Sequence, residues 1–239
     1  VIGGFIITGN APRRTIIRAI GPSLVSSGIP DALADPTLEL RSSSSLVRAN
    51  DNWRDSQQAE IEATGIPPRN DLESAIVETL PVGGYTAIIR GTNQGTGVAL
   101  LEIYDLAQTT DSKLANISTR ALVGTGNNVL IGGFMLGGGS PKRVVVRGMG
   151  PSLTKAGLTN VLADPTLELR DSNGALLIAN DDWRDNAEQA RQIKIAGLGK
   201  LNGLESALIA TLPPGPYTAV VAGKNGGTGI GLVEIYNLQ

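Results

Sequence analysis

The feature that most constrains this chain is that it is written twice. Ile2–Phe5 (IGGF) returns as Ile131–Phe134, Gly21–Leu24 (GPSL) as Gly150–Leu153, and Leu33–Leu40 (LADPTLEL) as Leu162–Leu169, all 129 positions apart. The offset grows to 130 at Asn50–Asp55 (NDNWRD), which matches Asn180–Asp185 (NDDWRD). It reaches 132 at Leu72–Ala75 (LESA) and stays there through Glu102–Leu106 (EIYDL), which matches Glu234–Leu238 (EIYNL). A period of this length means two units, each with its own core. The added residues enter at Arg41–Ser45 against Arg170–Gly174, and between Asp55 and Leu72, so loops are expected there. Asn173-Gly174 in the second version has the chemistry of a hairpin turn.

One segment has no twin. Leu114–Gly124 (LANISTRALVG) precedes the second IGGF, whereas the first IGGF begins at Ile2. Two modules therefore share one strand-like lead-in. The expected boundaries are 1–106 for a first module lacking its lead-in strand, 107–113 for a linker and 114–239 for a second module. The chain opens inside a strand-like run, as a portion of a longer or processed protein would.

Each half reads as β structure. Arg14–Ile20, Thr37–Leu40, Tyr85–Arg90 and Val98–Tyr104, with their second copies, are short apolar and β-branched runs between turn residues. The 31 glycines and 13 prolines supply the turns. Ser56–Thr64 and Asn186–Ala196 can each form a short helix. The expected fold is all-β, two tandem β-sandwich (jelly-roll-like) modules with a short helix in each. The strand carrying EIY has apolar residues on both faces, which predicts a central position in its sheet. Gly91–Gly97 and Gly223–Gly229 read as glycine-rich hairpin loops. Neither has the spacing of a phosphate-binding loop, and no helix follows.

Composition narrows the chemistry. Histidine and cysteine are absent, which removes the commonest general base, the Ser-His-Asp and Cys-His constellations, and zinc sites built on Cys or His. A formal charge of −2 provides no basic field for nucleic acid. No apolar run of about 18 residues predicts a membrane-spanning helix.

The repeated polar residues are the candidate site. Asp51, Asp55 and Glu73, with Asp181, Asp185 and Glu205, can supply oxygen ligands for one calcium ion per module. The competing reading makes the same segment a structured loop, with Asp and Asn capping turns, Arg pairing with Asp, and Trp53 or Trp183 covering the core edge. Asp35 and Asp164 precede proline and read as turn starters. Arg18 and Arg147 are expected to bond loop carbonyls or anchor an acidic group. Glu102 and Glu234 lie inside apolar strands and need a partner there, such as an arginine on the neighbouring strand. A carboxylate-only glycoside hydrolase is disfavoured, because one Trp and two Tyr per half make a poor sugar-stacking cleft.

The stretch from PTLEL through NDNWRD to LPxGxY and the final EIY strand resembles secreted bacterial β-sandwich modules of the prepeptidase C-terminal type. The first part, with IGGF and R-x-x-GPSL, resembles repeats of large extracellular proteins of environmental bacteria. The resemblance implies an extracellular or cell-surface structural protein with no catalytic residues or certain cofactor. The expectation is a repeat building block of a filament, appendage or surface layer. Its partners would be copies of itself, head to tail, joined by strand donation. The alternative is a calcium- or glycan-binding adhesion module, with surface glycans as partner.

Overall fold

The computed structural model describes residues 1–43, 45–106 and 113–238, and it divides into two units, Val1–Ala115 and Asn116–Gln239. The expected linker lies outside the described residues apart from Lys113. In the first unit the elements are β1 (Ile2–Thr8), β2 (Arg13–Ile20), β3 (Pro36–Ser42), β4 (Ser45–Asn50), α1 (Gln58–Glu62), β5 (Ser74–Leu80), β6 (Gly83–Gly91) and β7 (Leu100–Asp105). They form two antiparallel layers, β1-β6-β3-β4 and β5-β2-β7. β8 (Lys113–Val123) begins just before the boundary and runs into the second unit. There it is followed by β9 (Leu130–Leu136), β10 (Lys142–Met149), β11 (Pro165–Arg170), β12 (Leu176–Asn180), α2 (Ala187–Ile195), β13 (Ser206–Leu212), β14 (Gly215–Gly223) and β15 (Gly229–Asn237). Its layers are β9-β14-β11-β12 and β13-β10-β15-β8. The all-β fold with one short helix per module is as the sequence predicts.

Period-2 patterning builds the sandwich cores. Phe5 and Ile7 of β1, Leu38 and Leu40 of β3, and Tyr85, Ala87 and Ile89 of β6 face Ile17, Ala19, Ile76 and Leu80 across the first unit. Phe134, Leu167, Leu169, Tyr217 and Val221 meet Val144, Val146, Leu208, Val233 and Ile235 across the second. The stacked pairs Phe5–Tyr85 and Phe134–Tyr217, with ring centroids 5.4 and 5.6 Å apart, repeat the same contact. A smaller core lies on the outer face of one sheet in each unit. Ile16, Trp53, Ile61, Ala75 and Val77 form it under α1, and Val145, Trp183, Ala190, Ile193, Ala207 and Ile209 under α2. This explains why Ile16-Ile17 and Val144–Val146 are continuous apolar runs. Alternate residues serve the sandwich core and the helix core, so both faces of the strand are buried.

Two expectations change. The loops 91–97 and 223–229 are not hairpins: β6 and β14 lie in one layer and β7 and β15 in the other, so each loop crosses between sheets. The crossing is pinned by backbone bonds from Leu33 N to Val98 O (2.7 Å) and from Leu162 N to Ile230 O (2.9 Å). Gly229 makes the close approach possible, since a Cβ there would stand 2.6 Å from Leu162 N. Second, the EIY strand is central only in the second unit. β15 lies between β10 and β8, whereas β7 is at the edge of its sheet.

Candidate functional site

The repeated carboxylates were the sequence's strongest pointers, and the structure places them in three settings. Glu73 and Glu205 are fully buried. Glu73 Oε1 accepts from Gly21 N (3.2 Å) and Ser23 N (2.9 Å), while Oε2 accepts from Ser23 Oγ (2.9 Å) and Asn70 N (3.2 Å). Glu205 accepts in the same way from Gly150 N, Ser152 N, Ser152 Oγ and Asn202 N at 2.7–3.2 Å. The donors of residues 21 and 23, and of 150 and 152, sit at the start of the 3-10 turns Pro22–Ser27 and Pro151–Ala156, so the carboxylate ties GPSL to the far side of its module. Four donors satisfy the buried charge. The expected grouping with Asp51 and Asp55, or with Asp181 and Asp185, does not form around these glutamates. Each glutamate is turned inward onto its own turn instead.

Around the tryptophans the structured-loop reading describes the geometry. Trp53 and Trp183 are buried and donate their indole N–H to Asn70 O (3.2 Å) and Asn202 O (2.9 Å). Arg54 and Arg184 lie over the indole rings at 4.6 and 4.8 Å. Asn50 and Asn180 brace the loop, accepting from Ala75 N and Ala207 N and donating to residues 52 and 182. Asp55 and Asp185 are exposed members of the same loop.

The second setting is a triad. Arg18 on β2 bonds Glu102 on β7 through Nε (2.9 Å) and Nη2, while its Nη1 donates to Ile66 O at 2.6 Å. Tyr104 donates to Glu102 Oε1 at 2.8 Å, and the guanidinium lies 5.2 Å from its ring. Arg147, Glu234, Leu198 O and Tyr236 repeat the arrangement. The arginines thus do both things their sequence position suggested. Burial, reinforced by the adjacent glutamate, pushes both tyrosine hydroxyls above their usual range. Every polar group of the triad is spent on another member of its own module.

The third setting holds Asp181, one of the expected calcium ligands, with Asp164 and Asp182 as neighbours in place of the expected Asp185 and Glu205. Asp164, Asp181 and Asp182 place a carboxylate oxygen of each within 4.8 Å of the others, the one such acidic group among the described residues. Lys224 sits on them, its Nζ 2.5 Å from Asp181 and 3.7 Å from Asp164. The hydrogen bond to Asp181 raises the lysine's pKa. Burial, then repulsion from Asp181 and Asp185, raises that of Asp182. The ammonium offsets part of the charge of the three carboxylates, and Asp164 Oδ1, Asp181 Oδ1 and Asp182 Oδ1 are buried with no hydrogen-bond partner among the described residues. The first module has Asp35, Asp51, Asn52 and Thr92 at the matching positions, with one carboxylate fewer and no lysine. The signal that could have found this corner is the concerted change of Asn52 to Asp182 and Thr92 to Lys224 between the copies.

The last candidate is a surface rather than a cluster. Among the described residues, no strand pairs with the outer edge of β7. Leu100 and Tyr104 are 43% and 39% exposed. At the start of β7 lies an open cavity of about 440 Å³, whose lining includes Val1, Leu33, Ile89, Gly97 and Ala99.

No protein-family model matches the chain, and no curated protein matches it. Among solved structures, it is similar to the STIV MCP (13% identity, 98% of this chain and 90% of that one, TM-score 0.26). It is similar to the PBSX exported protein XepA (10% identity, 99% and 81%, TM-score 0.26). A third is the major capsid protein P2 from bacteriophage PM2 (9% identity, 98% and 90%, TM-score 0.22).

Proposed function

We propose that this chain is a non-enzymatic structural protein of the cell exterior, a building block that associates with further copies of itself by adding a strand to an open sheet edge. The observation that carries the reading is the unequal finish of two otherwise matching modules. In the second, β15 is flanked on both sides; in the first, the matching strand β7 is flanked on one side among the described residues. Open edges are sites of strand addition unless something covers or blunts them. The four repeated glutamates are committed to the fold: Glu73 and Glu205 to backbone donors, Glu102 and Glu234 to arginine and tyrosine. Contact between unlike surfaces of identical chains generates open arrays when the rotation between neighbours does not close. The exterior location rests on the resemblance of the repeat to secreted modules.

Sedimentation velocity over a concentration series, with negative-stain imaging of the same samples, tests this. The expected result is a concentration-dependent ladder of oligomers extending to filaments. A single monomeric species up to millimolar chain rejects it.

A further inference from the structure

We infer that the outer edge of β7, together with the cavity at its start, is the seat for an extended strand of the β8 type, one with the residue pattern of 113–124. The inference rests on the assembly reading above and names its contact surface. The molecule shows such a strand in place once. In the second module β8 lies antiparallel along β15, with Asn116 opposite Tyr236, Ser118 opposite Glu234, Arg120 opposite Leu232 and Val123 opposite Gly229. Moved back by the repeat offset of 132, that partner set becomes Gly97–Tyr104, which is β7 and the residues leading into it.

Two features mark that edge as unoccupied among the described residues. The first is burial. Gly229, Gly231, Val233 and Ile235 are buried under β8, whereas Gly97 is exposed and Ala99, Leu101 and Ile103 are only half-buried. The second is the cavity. Its lining residues Val1, Leu33, Ile89, Gly97 and Ala99 correspond to Leu130, Leu162, Val221, Gly229 and Gly231. In the second module that space belongs to Val123 of β8, which is fully buried in one cluster with Leu130, Leu162 and Val221. A methyl group built on Gly231 would stand 3.0 Å from Val123 and 3.6 Å from Leu130 and Leu162, so these side chains converge on a single point. The cavity of the first module is thus the counterpart of the Val123 pocket, open where its twin is filled.

The match also states what the entering strand must look like. It needs an apolar residue at its cavity end, followed outward at every second position by small or β-branched residues, as Val123, Ala121, Thr119 and Ile117 provide. Ala99 carries a methyl group where the second module has Gly231, so the entering residue meets one more methyl group than Val123 does. Backbone hydrogen bonds along the edge supply affinity, and the cavity supplies register, since a one-residue slip would turn the apolar residue to solvent.

The test uses the full chain and a synthetic peptide of residues 113–124 (KLANISTRALVG). Binding is followed by titration calorimetry, and its place by amide hydrogen exchange. The expected result is one peptide per chain, with new protection over 97–104. A peptide carrying V123D should bind at least tenfold more weakly. The chain variant A99F, whose ring would occupy the part of the cavity beside residue 99, should lose binding at least tenfold while its own melting transitions stay cooperative. Absence of binding, protection confined to the second module, or equal binding by A99F overturns the inference. Peptide binding by a chain that sediments only as monomer would leave this seat standing and reject the assembly reading. Oligomers that form equally well with A99F would do the reverse.

Discussion

The two modules are a comparison the molecule makes with itself. Both close a sandwich around a stacked Phe–Tyr pair, tie GPSL to a buried glutamate, and lock an arginine between a glutamate and a tyrosine. They part where β8 is concerned. The EIY strand is almost the same in both copies, yet it is a covered central strand in one and an edge in the other. Burial at these positions is therefore set by the neighbouring strand and not by the strand's own residues. A sequence pattern reports what a strand can tolerate on its two faces; it does not report which of its edges is occupied.

The largest test of that contrast removes the difference. Val123→Asp places an unpaired charge in the core of the second module and should cost at least about 4 kcal/mol. Calorimetric melting should show the second module's transition lowered or lost, with that of the first in place. Two unchanged transitions would mean that β8 does not complete the second module. A finer test uses identical residues at matched positions. Ile235→Ala, at 5% exposure, should cost about 3 kcal/mol, and Ile103→Ala, half-buried at the open edge, about 1 kcal/mol. Equal costs in urea melts would break the comparison. The smallest test converts one acidic corner toward the other. Asp182→Asn copies Asn52 of the first module. The Asp182 carboxyl is held above its ordinary 3.8 by burial and by its acidic neighbours, so its ionised form costs stability in the fold. The substitution should raise the second module's stability by about 0.5 kcal/mol at neutral pH. The gain should fade as pH falls into the range where Asp182 takes up its proton. A loss at neutral pH would show that Lys224 needs all three carboxylates.

Much of this architecture was legible in the sequence. The duplication, the strand segments, the short helices at Gln58–Glu62 and Ala187–Ile195, and the need of Glu102 for an arginine followed from patterns local to a strand or from the cost of burying a charge. What stayed hidden depends on distant chain. Gly91–Gly97 has the composition of a hairpin loop, and only the layer assignment of β6 and β7 shows that it crosses between sheets. Asp51, Asp55 and Glu73 are close enough in sequence to suggest one ligand set. Glu73 instead meets donors about fifty residues upstream, at Gly21 and Ser23. The acidic corner joins Asp164 and Asp181 to Lys224 from three separate loops, and no spacing rule brings those together.

The position of β15 bears on how the second module comes into being. It follows in sequence every strand it joins, yet it fills the slot between β10 and β8, with Arg147 meeting Glu234 across 87 residues. Until those residues have been synthesised, the two flanking strands lack the partner that unites them, and their inner faces stay wet. Closure over so long a stretch is slow, because the entropy of the loop is lost before the contacts form. A ribosome making this chain therefore holds an unfinished sheet for the whole time between β10 and β15. During that interval the exposed edges of one nascent chain are open to the strands of the next.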